Sequence, residues 1–311
     1  MTPPNPPQET KIRPYGDAGI AEAAALILAG EPVAVPTETV YGLAADATSG
    51  EAVARIYAAK GRPSFNPLIV HVAGLDEAER LAGFEEAARA LARRYWPGPL
   101  TLVLPSKGGV ASLVTAGLPT IAIRVPAHPA MRDLLAACGR SLAAPSANAS
   151  GRISPTRAEH VLAGLGGHIP MILDAGPTRH GLESTIVAVT GGQVRLLRPG
   201  PIPAEELGAI ASATRAIEAP GQLASHYAPS KPLRLDADSA RPDEWLIGFG
   251  EVAGDANLSP SGDLVEAAAR LFDLLHQAEA SPQPALAVAP IPRAGLGEAI
   301  NDRLRRAAAP R

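Results

Sequence analysis

Short apolar runs alternate along the chain with longer segments rich in alanine and leucine. Apolar runs of about four to eight residues are typical of buried strands, whereas apolar residues spaced three or four apart are typical of helices. The pattern predicts helices over 18–28, 49–60, 85–95, 129–137 and 156–162, and strands over 32–36, 68–72, 100–104, 120–125, 141–144, 171–173, 185–189 and 193–197. Because several strands follow one another without an intervening helix, we expect an α/β fold with a twisted, open, mixed sheet.

The pattern fades between about 205 and 229 into alanine, proline, glycine and serine, a composition typical of a linker. Beyond it the sequence predicts a strand, a helix, a strand and a helix over 245–249, 263–277, 285–289 and 296–307. These elements form a small second α/β unit. We therefore predict a disordered tail, a large domain, a linker or lid, and a small C-terminal α/β domain, over 1–11, 12–207, 208–230 and 231–311.

The composition of the 311-residue chain disfavours several classes of protein. With 46% hydrophobic residues the chain can bury a large core, and a net charge of −3 disfavours nucleic-acid binding by the whole surface. No apolar run approaches the roughly 18 residues of a membrane span. The single cysteine, Cys138, has no disulfide partner, which favours a cytoplasmic protein and a structural role for the thiol.

Two cations and an amide follow the helix predicted over 49–60. Ser49 is its expected N-cap and Gly61 the residue that ends it, so Lys60 lies in the last turn. Arg62 and Asn66 are each followed by proline, which restricts their backbone and presents both side chains from a stiff connector. Alone, this pattern is also explained by a helix dipole and a solvated arginine, but the neighbouring motifs favour an anion site.

Polar residues also follow other predicted strands, where open α/β sheets bind ligands. They are Thr37, Glu38 and Thr39 after the strand 32–36, and Ser146 and Asn148 after the strand 141–144. Either Ser154 or Thr156 is expected to start a helix, whose free N–H groups can bind an anion. Ordinary polar turns and a solvated cap remain the alternative.

Arg124 and Thr120 fall on one face of a predicted strand that is otherwise apolar. A buried arginine requires an anionic partner. The spacing leaves open whether that partner is a protein carboxylate or a carboxylate or phosphate of a ligand. Two further strand ends carry Ser184 and Arg198.

Several common catalytic motifs are missing from the sequence. It contains no phosphate loop, no glycine-rich dinucleotide fingerprint and no histidine or cysteine pair at metal-binding spacing. These absences disfavour the usual NTPases and dehydrogenases. Of the seven histidines, His71 lies nearest in sequence to the basic cluster, and it either faces a ligand or is a satisfied core residue.

Taken together, five segments strongly resemble the YrdC-like threonylcarbamoyl-AMP synthase family. They are Pro36–Leu43, Lys60–Leu68, Trp96–Thr101, Pro145–Asn148 and Ser184–Ile186. The resemblance covers roughly 12–207, and Gly295–Arg303 resembles part of the extra domain of the family's long form. It implies a YrdC-like fold and an enzyme that converts L-threonine, bicarbonate or CO2 and ATP into L-threonylcarbamoyladenylate and pyrophosphate. The product would pass to a tRNA threonylcarbamoyl transferase system.

The resemblance also implies roles for individual residues. Those expected around L-threonine are Thr39, His71, Arg124, Ala144 and Ser184. Those expected around ATP are Arg62, Asn66, Thr120, Ser146, Asn148, Ser154, Arg198, His226 and Tyr227, with Lys60 and Arg62 as the catalytic cations. Mg2+ would be held mainly by the ATP phosphates, with no dedicated protein ligands. Alanine and serine precede His226 where many members carry a basic residue, which leaves the lid's phosphate contact open.

Two other functions compete with this interpretation. The basic cluster could bind double-stranded RNA, although the net acidity argues against stable RNA binding. Carbamoyl transfer to another acceptor, as in hydrogenase-maturation relatives, would require acylphosphatase and zinc segments that this sequence does not contain.

Overall fold

The computed structural model describes residues 9–63, 66–211, 218–222 and 224–310, which form two β-sheets with helices packed on them. The first sheet contains β1 Lys11–Pro14, β2 Val33–Pro36, β3 Tyr41–Asp46, β4 Ile69–His71, β5 Leu100–Pro105, β6 Thr120–Arg124, β7 Leu142–Ala143, β8 Met171–Asp174, β9 Thr185–Thr190, β10 Gln193–Arg198 and β11 Ile210–Ala211. Its helices are α1 Asp17–Leu28, α2 Gly50–Lys60, α3 Leu75–Leu81, α4 Glu86–Tyr95, α5 Ser112–Thr115, α6 Pro129–Cys138 and α7 Ala158–Leu165, followed by a 3-10 turn at Glu205–Leu207.

The large sheet is mixed, as the sequence predicts. Among the described residues it has the strand order β1-β8-β2-β3-β7-β4-β6-β5-β9-β10-β11. The pairs β4–β6 and β5–β9 are parallel, whereas β2–β3, β5–β6 and β9–β10 are antiparallel. The central strands β2, β3 and β5 are buried along most of their length, so they form apolar runs rather than alternating ones.

The small domain has an all-parallel sheet with the order β12-β15-β13-β14. Its elements are β12 Leu233–Arg234, β13 Glu244–Gly248, β14 Ala256–Asn257, α8 Leu264–Ala280, β15 Ala285–Val288 and α9 Leu296–Ala307. One apolar cluster combines α8 and α9 with Val40, Ile153, Leu182 and Tyr227 of the preceding chain. The two domains therefore share a core instead of meeting only through a linker.

Capping residues set both ends of helix α2, as the sequence predicts. Ser49 Oγ accepts a hydrogen bond from the backbone N of Ala52 at 3.2 Å, which caps the first turn. Gly61 ends the helix with φ 59°, a left-handed conformation that favours glycine. Lys60 is consequently the last helical residue, and Arg62 leaves the helix immediately after it.

Helix α7 differs from its prediction. It begins at Ala158 with Arg157 as N-cap, so neither Ser154 nor Thr156 starts it. The expectation of an anion-binding helix start at these residues is wrong, because the Ser154 hydroxyl instead bonds the Glu183 carboxylate. Strand β3 was also not predicted, since Tyr41–Asp46 continues the apolar run without a turn signal strong enough to mark a hairpin.

The predicted tail and linker are only partly described. Residues 1–8 of the tail, with 212–217 and 223 of the linker, lie outside the described residues. Strand β1 begins at Lys11 and pairs with β8, and Ile210–Ala211 pairs with β10. Within the described ranges, no helix has the length and apolar character needed to cross a bilayer.

Candidate active site

A cavity of about 40 Å³ lies where β2, β4, β6 and β10 end and β9 begins. Ten of the predicted site residues line it: Thr39, Arg62, His71, Arg124, Ala144, Ser146, Ser184, Arg198, His226 and Tyr227. Pro220, Gly221, His226 and Tyr227 of the linker form one wall. Ligand pockets usually measure roughly 300–1,000 Å³, so a nucleotide can enter only if this wall moves.

Arg124 is held by protein partners and still faces the cavity. Its guanidinium donates from Nη2 to Glu38 Oε1 at 2.6 Å, from Nη1 to Thr39 Oγ1 at 3.0 Å and from Nε to the Gly98 carbonyl at 3.1 Å. The Glu38 carboxylate also accepts the backbone N–H of Ala127 at 3.1 Å. These contacts use three of the five guanidinium donors. The partner left open by the sequence is therefore a carboxylate of the protein, and two donors remain for a ligand.

His71 lies next to Arg124 because β4 and β6 pair in parallel with these two residues in register. The side chain is buried, and neither ring nitrogen makes a hydrogen bond within the described chain. Burial, reinforced by the Arg124 charge, lowers the pKa of His71 to about 3. The ring is thus neutral at physiological pH and has one donor and one acceptor free for a ligand.

Arg62 and Arg198 are buried without a carboxylate partner among their described contacts. Arg62 donates to the carbonyls of Asn66 and Pro67 at 3.3 and 3.0 Å. Arg198 donates to the Ser184 carbonyl at 2.9 and 3.1 Å and to Ser184 Oγ at 3.1 Å. Burial lowers the pKa of Arg62 to about 10 and also lowers that of Arg198. Buried cations with only neutral partners indicate a site that an anionic ligand completes.

Lys60 connects the end of α2 to the loop that carries Ser146. Its ammonium donates to the Ser146 carbonyl at 2.6 Å and to the Asn148 carbonyl, and its own carbonyl accepts the N–H of Ser150 at 2.8 Å. Burial, with the nearby Arg62 charge, lowers the pKa of Lys60 well below its ordinary value. Lys60 thus fixes the shape of this loop, although its side chain is absent from the cavity wall.

Five predicted residues do not line the cavity in this conformation: Lys60, Asn66, Thr120, Asn148 and Ser154. Asn66 is 1% exposed, and its side-chain amide makes no hydrogen bond within the described chain. Asn148 braces its own loop by donating to the carbonyls of Ala149 and Arg152 at 2.8 and 2.9 Å. Their assignment to ATP stays a prediction.

Three charged residues near the cavity, Glu38, Glu183 and Arg303, are not among the residues predicted to bind L-threonine or ATP. Glu38 pairs with Arg124, and Glu183 pairs with Arg303 of α9 at 2.8 Å. A buried arginine such as Arg124 requires an anionic partner, and this requirement could have indicated Glu38 from the sequence. The position of Arg303, 120 residues after Glu183, has no such local signal.

The described residues contain no cluster of three or more histidine, cysteine, aspartate or glutamate side chains that could bind a metal ion. The two carboxylates nearest the cavity, Glu38 and Glu183, are both held by arginines. These side chains therefore do not form a protein cage for Mg2+, which requires several free oxygen ligands.

Two protein-family models match the sequence. The Sua5–YciO–YrdC family model, described as telomere recombination, matches residues 25–200. The chain belongs to this family. A second model, described as the C-terminal domain of threonylcarbamoyl-AMP synthase, matches residues 202–309, so the family resemblance extends through the small domain.

Two curated relatives named threonylcarbamoyl-AMP synthase align along nearly the whole chain. The Bacillus subtilis protein is 41% identical and covers 94% of this chain and 93% of its own length. The Pyrococcus abyssi protein is 40% identical with 92% of each chain covered. A crystal structure of P. abyssi Sua5 complexed with L-threonine matches with a TM-score of 0.87 and 38% identity over 96% of each chain. The family and the α/β fold expected from the sequence are confirmed.

Proposed function

We propose that this protein is an L-threonylcarbamoyladenylate synthase, which forms threonylcarbamoyl-AMP and pyrophosphate from L-threonine, bicarbonate or CO2, and ATP. One observation of the structure carries the proposal. A carboxylate-paired arginine on β6 and two arginines without carboxylate partners, one after α2 and one on β10, line the same cavity. The names of the two full-length relatives, and matches to both family models instead of the first alone, support the same activity.

The Arg124 side of the cavity fits an amino acid. The two free donors of Arg124 suit the threonine carboxylate, and Thr39 and Ser184 supply hydroxyls nearby. Neutral His71 can accept a hydrogen bond from the amine or hydroxyl of threonine. Ala144, the remaining residue predicted on this side, offers only a methyl group and leaves room for the substrate.

The Arg62 side fits the nucleotide. Arg62 and Arg198 would face the phosphates, with Ser146 on the loop that Lys60 fixes. His226 and Tyr227 would cover the nucleotide once the linker closes. Mg2+ would arrive with the phosphates and offset part of their charge, since the described carboxylates near the cavity are already paired.

Formation of the adenylate depends more on correctly placed cations than on proton transfer by a catalytic base. The neutral threonine amine adds to CO2 to form a carbamate and releases one proton to water. A carbamate oxygen then bonds to the α-phosphorus of ATP as the bond from that phosphorus to pyrophosphate breaks. Because the carbamate is already anionic, no strong base is required, and none of the cavity histidines has a raised pKa. The buried cations stabilise the charge that develops on the leaving pyrophosphate.

The product is an activated carbamoyl group, so a transferase must consume it. We place that step at the N6 amine of an adenosine in tRNA, through a separate transferase system, in the cytoplasm. Because the net charge of −3 disfavours stable binding to a phosphate backbone, we expect no stable RNA binding by this chain.

Mass spectrometry of the reaction products tests the proposal directly. Purified protein with ATP, L-threonine and 13C-labelled bicarbonate should yield threonylcarbamoyl-AMP carrying one 13C atom, together with pyrophosphate. Leaving out threonine or bicarbonate should abolish the adenylate. Formation of pyrophosphate without a labelled adenylate would refute the proposed activity.

A further inference from the structure

Arg303 belongs to the small domain, yet its guanidinium contacts Glu183 and Tyr227, two residues that line the cavity. It is 0% exposed and sits on α9. Nε donates to Glu183 Oε2 at 2.8 Å, Nη2 donates to the Pro199 carbonyl at 2.9 Å, and Nη1 donates to Asp302 Oδ2 at 2.8 Å. The guanidinium also stacks over the Tyr227 ring, 5.0 Å from its centre. A single side chain of α9 thus contacts three segments that surround the site.

These contacts join the strand end that carries Arg198, which is proposed to face the nucleotide, to the strand end that carries Ser184, which Arg198 bonds. Glu183 directly precedes Ser184, and Pro199 directly follows Arg198. Ser184 and Arg198 in turn bond each other through the carbonyl and hydroxyl of Ser184. The two segments are already in close contact, because a Cβ on the adjacent Gly200 would lie 2.4 Å from the Thr185 backbone N. Arg303 therefore connects the two segments on either side of the Arg198–Ser184 hydrogen bonds. These contacts together fix the direction of the Arg198 guanidinium.

Arg303 also neutralises a carboxylate that would otherwise face the cavity. Several groups surround the Glu183 carboxylate: Arg303 and Asp302 on α9, Arg198 on β10, Tyr227 of the linker and the donating Ser154 hydroxyl. Burial by itself would raise the pKa of Glu183, but the charges of Arg303 and Arg198 hold it below its ordinary value. Without Arg303, a buried carboxylate would compete with the phosphates for Arg198.

We propose that Arg303 is a positioning residue of the active site, which acts through Glu183 and Pro199 to orient Arg198 for ATP. The use of ATP by the large domain thereby depends on a side chain of the small domain. This inference rests on the proposed function. It goes beyond that function because none of the substrate contacts proposed above involves the small domain.

Kinetics of Arg303→Met test the proposal, since methionine keeps much of the length of the side chain and removes its charge. We expect the KM for ATP to rise on the order of tenfold, as is typical when a residue that orients a ligand-binding side chain is removed. The KM for threonine should change less than about threefold, because Arg124 and His71 lie on the other side of the cavity. Arg305→Met is the matched control: Arg305 is exposed on the same helix, and this variant should behave as wild type.

Two further readouts separate positioning from a merely structural contact. Adding Glu183→Gln to Arg303→Met removes the unpaired carboxylate and should restore most of the ATP affinity. In the single variant the unpaired, buried carboxyl should have a raised pKa and bind a proton more readily. Its ATP defect should therefore shrink as the pH falls from about 8 to 6, and the double variant should not show this dependence.

The outcomes distinguish this inference from the proposed function. An unchanged KM for ATP in a folded Arg303→Met protein, or no rescue by Glu183→Gln, would overturn the inference. If thermal unfolding shows that Arg303→Met is not folded, the KM for ATP is measured in Arg303→Lys instead. A raised KM for ATP in that variant supports the positioning role, and a wild-type KM overturns it. Absence of the adenylate with the wild-type enzyme would instead refute the proposed function.

Discussion

The two sides of the cavity hold their arginines in different ways. On one side Arg124 is paired with the Glu38 carboxylate at 2.6 Å, and its hydrogen bonds to Thr39 and Gly98 fix its direction. On the other side Arg62 and Arg198 contact only carbonyl and hydroxyl oxygens of the protein among their described partners. All three guanidinium groups are buried.

The difference matches the charge of the two proposed substrates. A paired arginine presents directed donors with little net charge, which suits a zwitterionic amino acid whose amine would be repelled by a free cation. Unpaired cations leave a net positive charge that suits a triphosphate and the leaving pyrophosphate. The unpaired side costs stability in the empty protein, and the ligand supplies the missing anion.

The largest expected effect comes from removing Arg124, the arginine that is paired with a carboxylate. Arg124→Met leaves Glu38 buried without its partner and should lower the free energy of unfolding by about 3–5 kcal/mol. It should also raise the KM for threonine far more than that for ATP, because the carboxylate contact is lost. Denaturant unfolding and steady-state kinetics measure the two effects.

The double variant Arg124→Met/Glu38→Gln is the control for this prediction. It should recover most of the stability, because no unpaired charge remains, but none of the threonine affinity. Equal changes in the KM values for threonine and ATP would count against the carboxylate contact.

Removing a cation from the unpaired side should affect the rate more than the stability. Arg62→Ala should reduce adenylate formation on the order of 10²–10³-fold, the range found when one transition-state donor is removed. The unfolding temperature should not fall, because the buried charge has no anionic partner in the empty protein. Exposed Arg132→Ala on α6 is the control and should leave both quantities unchanged. Pyrophosphate release near the wild-type rate in Arg62→Ala would remove Arg62 from the mechanism.

The smallest expected effect concerns His71, which lies beside Arg124 on the paired side. Its folded pKa of about 3 lies below the ordinary value, so the unfolded chain takes up a proton first as the pH falls. The folded state therefore loses stability from about pH 6.5 downward, by up to about 1.4 kcal/mol per pH unit for this group. His71→Gln should reduce the slope of unfolding free energy against pH between about 6 and 4.

His168 is exposed on the same domain, so His168→Gln should leave the slope as it is in the wild type. If His71→Gln has the wild-type slope as well, His71 is not the buried neutral ring that the structure shows.

Much of this site could be predicted from the sequence because its residues stand at the ends of apolar strands. The ends of β2, β4, β6 and β10 supply Thr39, His71, Arg124 and Arg198, and the loop after β7 supplies Ser146. The capping residues Ser49 and Gly61 also predicted both ends of α2 correctly. These signals depend only on neighbouring residues.

The missed features depend on pairing between distant segments. Glu183 takes the Ser154 hydroxyl that was expected to start a helix, and Arg303 reaches Glu183 from the other domain. The ammonium of Lys60 was expected near phosphates, and it bonds backbone carbonyls of a loop 86 and 88 residues later. No local pattern encodes which of several buried polar groups will meet.

The three bonds between Lys60 and the 146–150 loop tie the fluctuations of these segments together. The last turn of α2 cannot fray without releasing the Ser146 and Asn148 carbonyls and the N–H of Ser150. Amide protons of the helix end and of this loop should therefore exchange with solvent through one shared opening event. The order of a loop that contributes Ser146 to the cavity is in this way set by the integrity of a helix that ends outside the cavity.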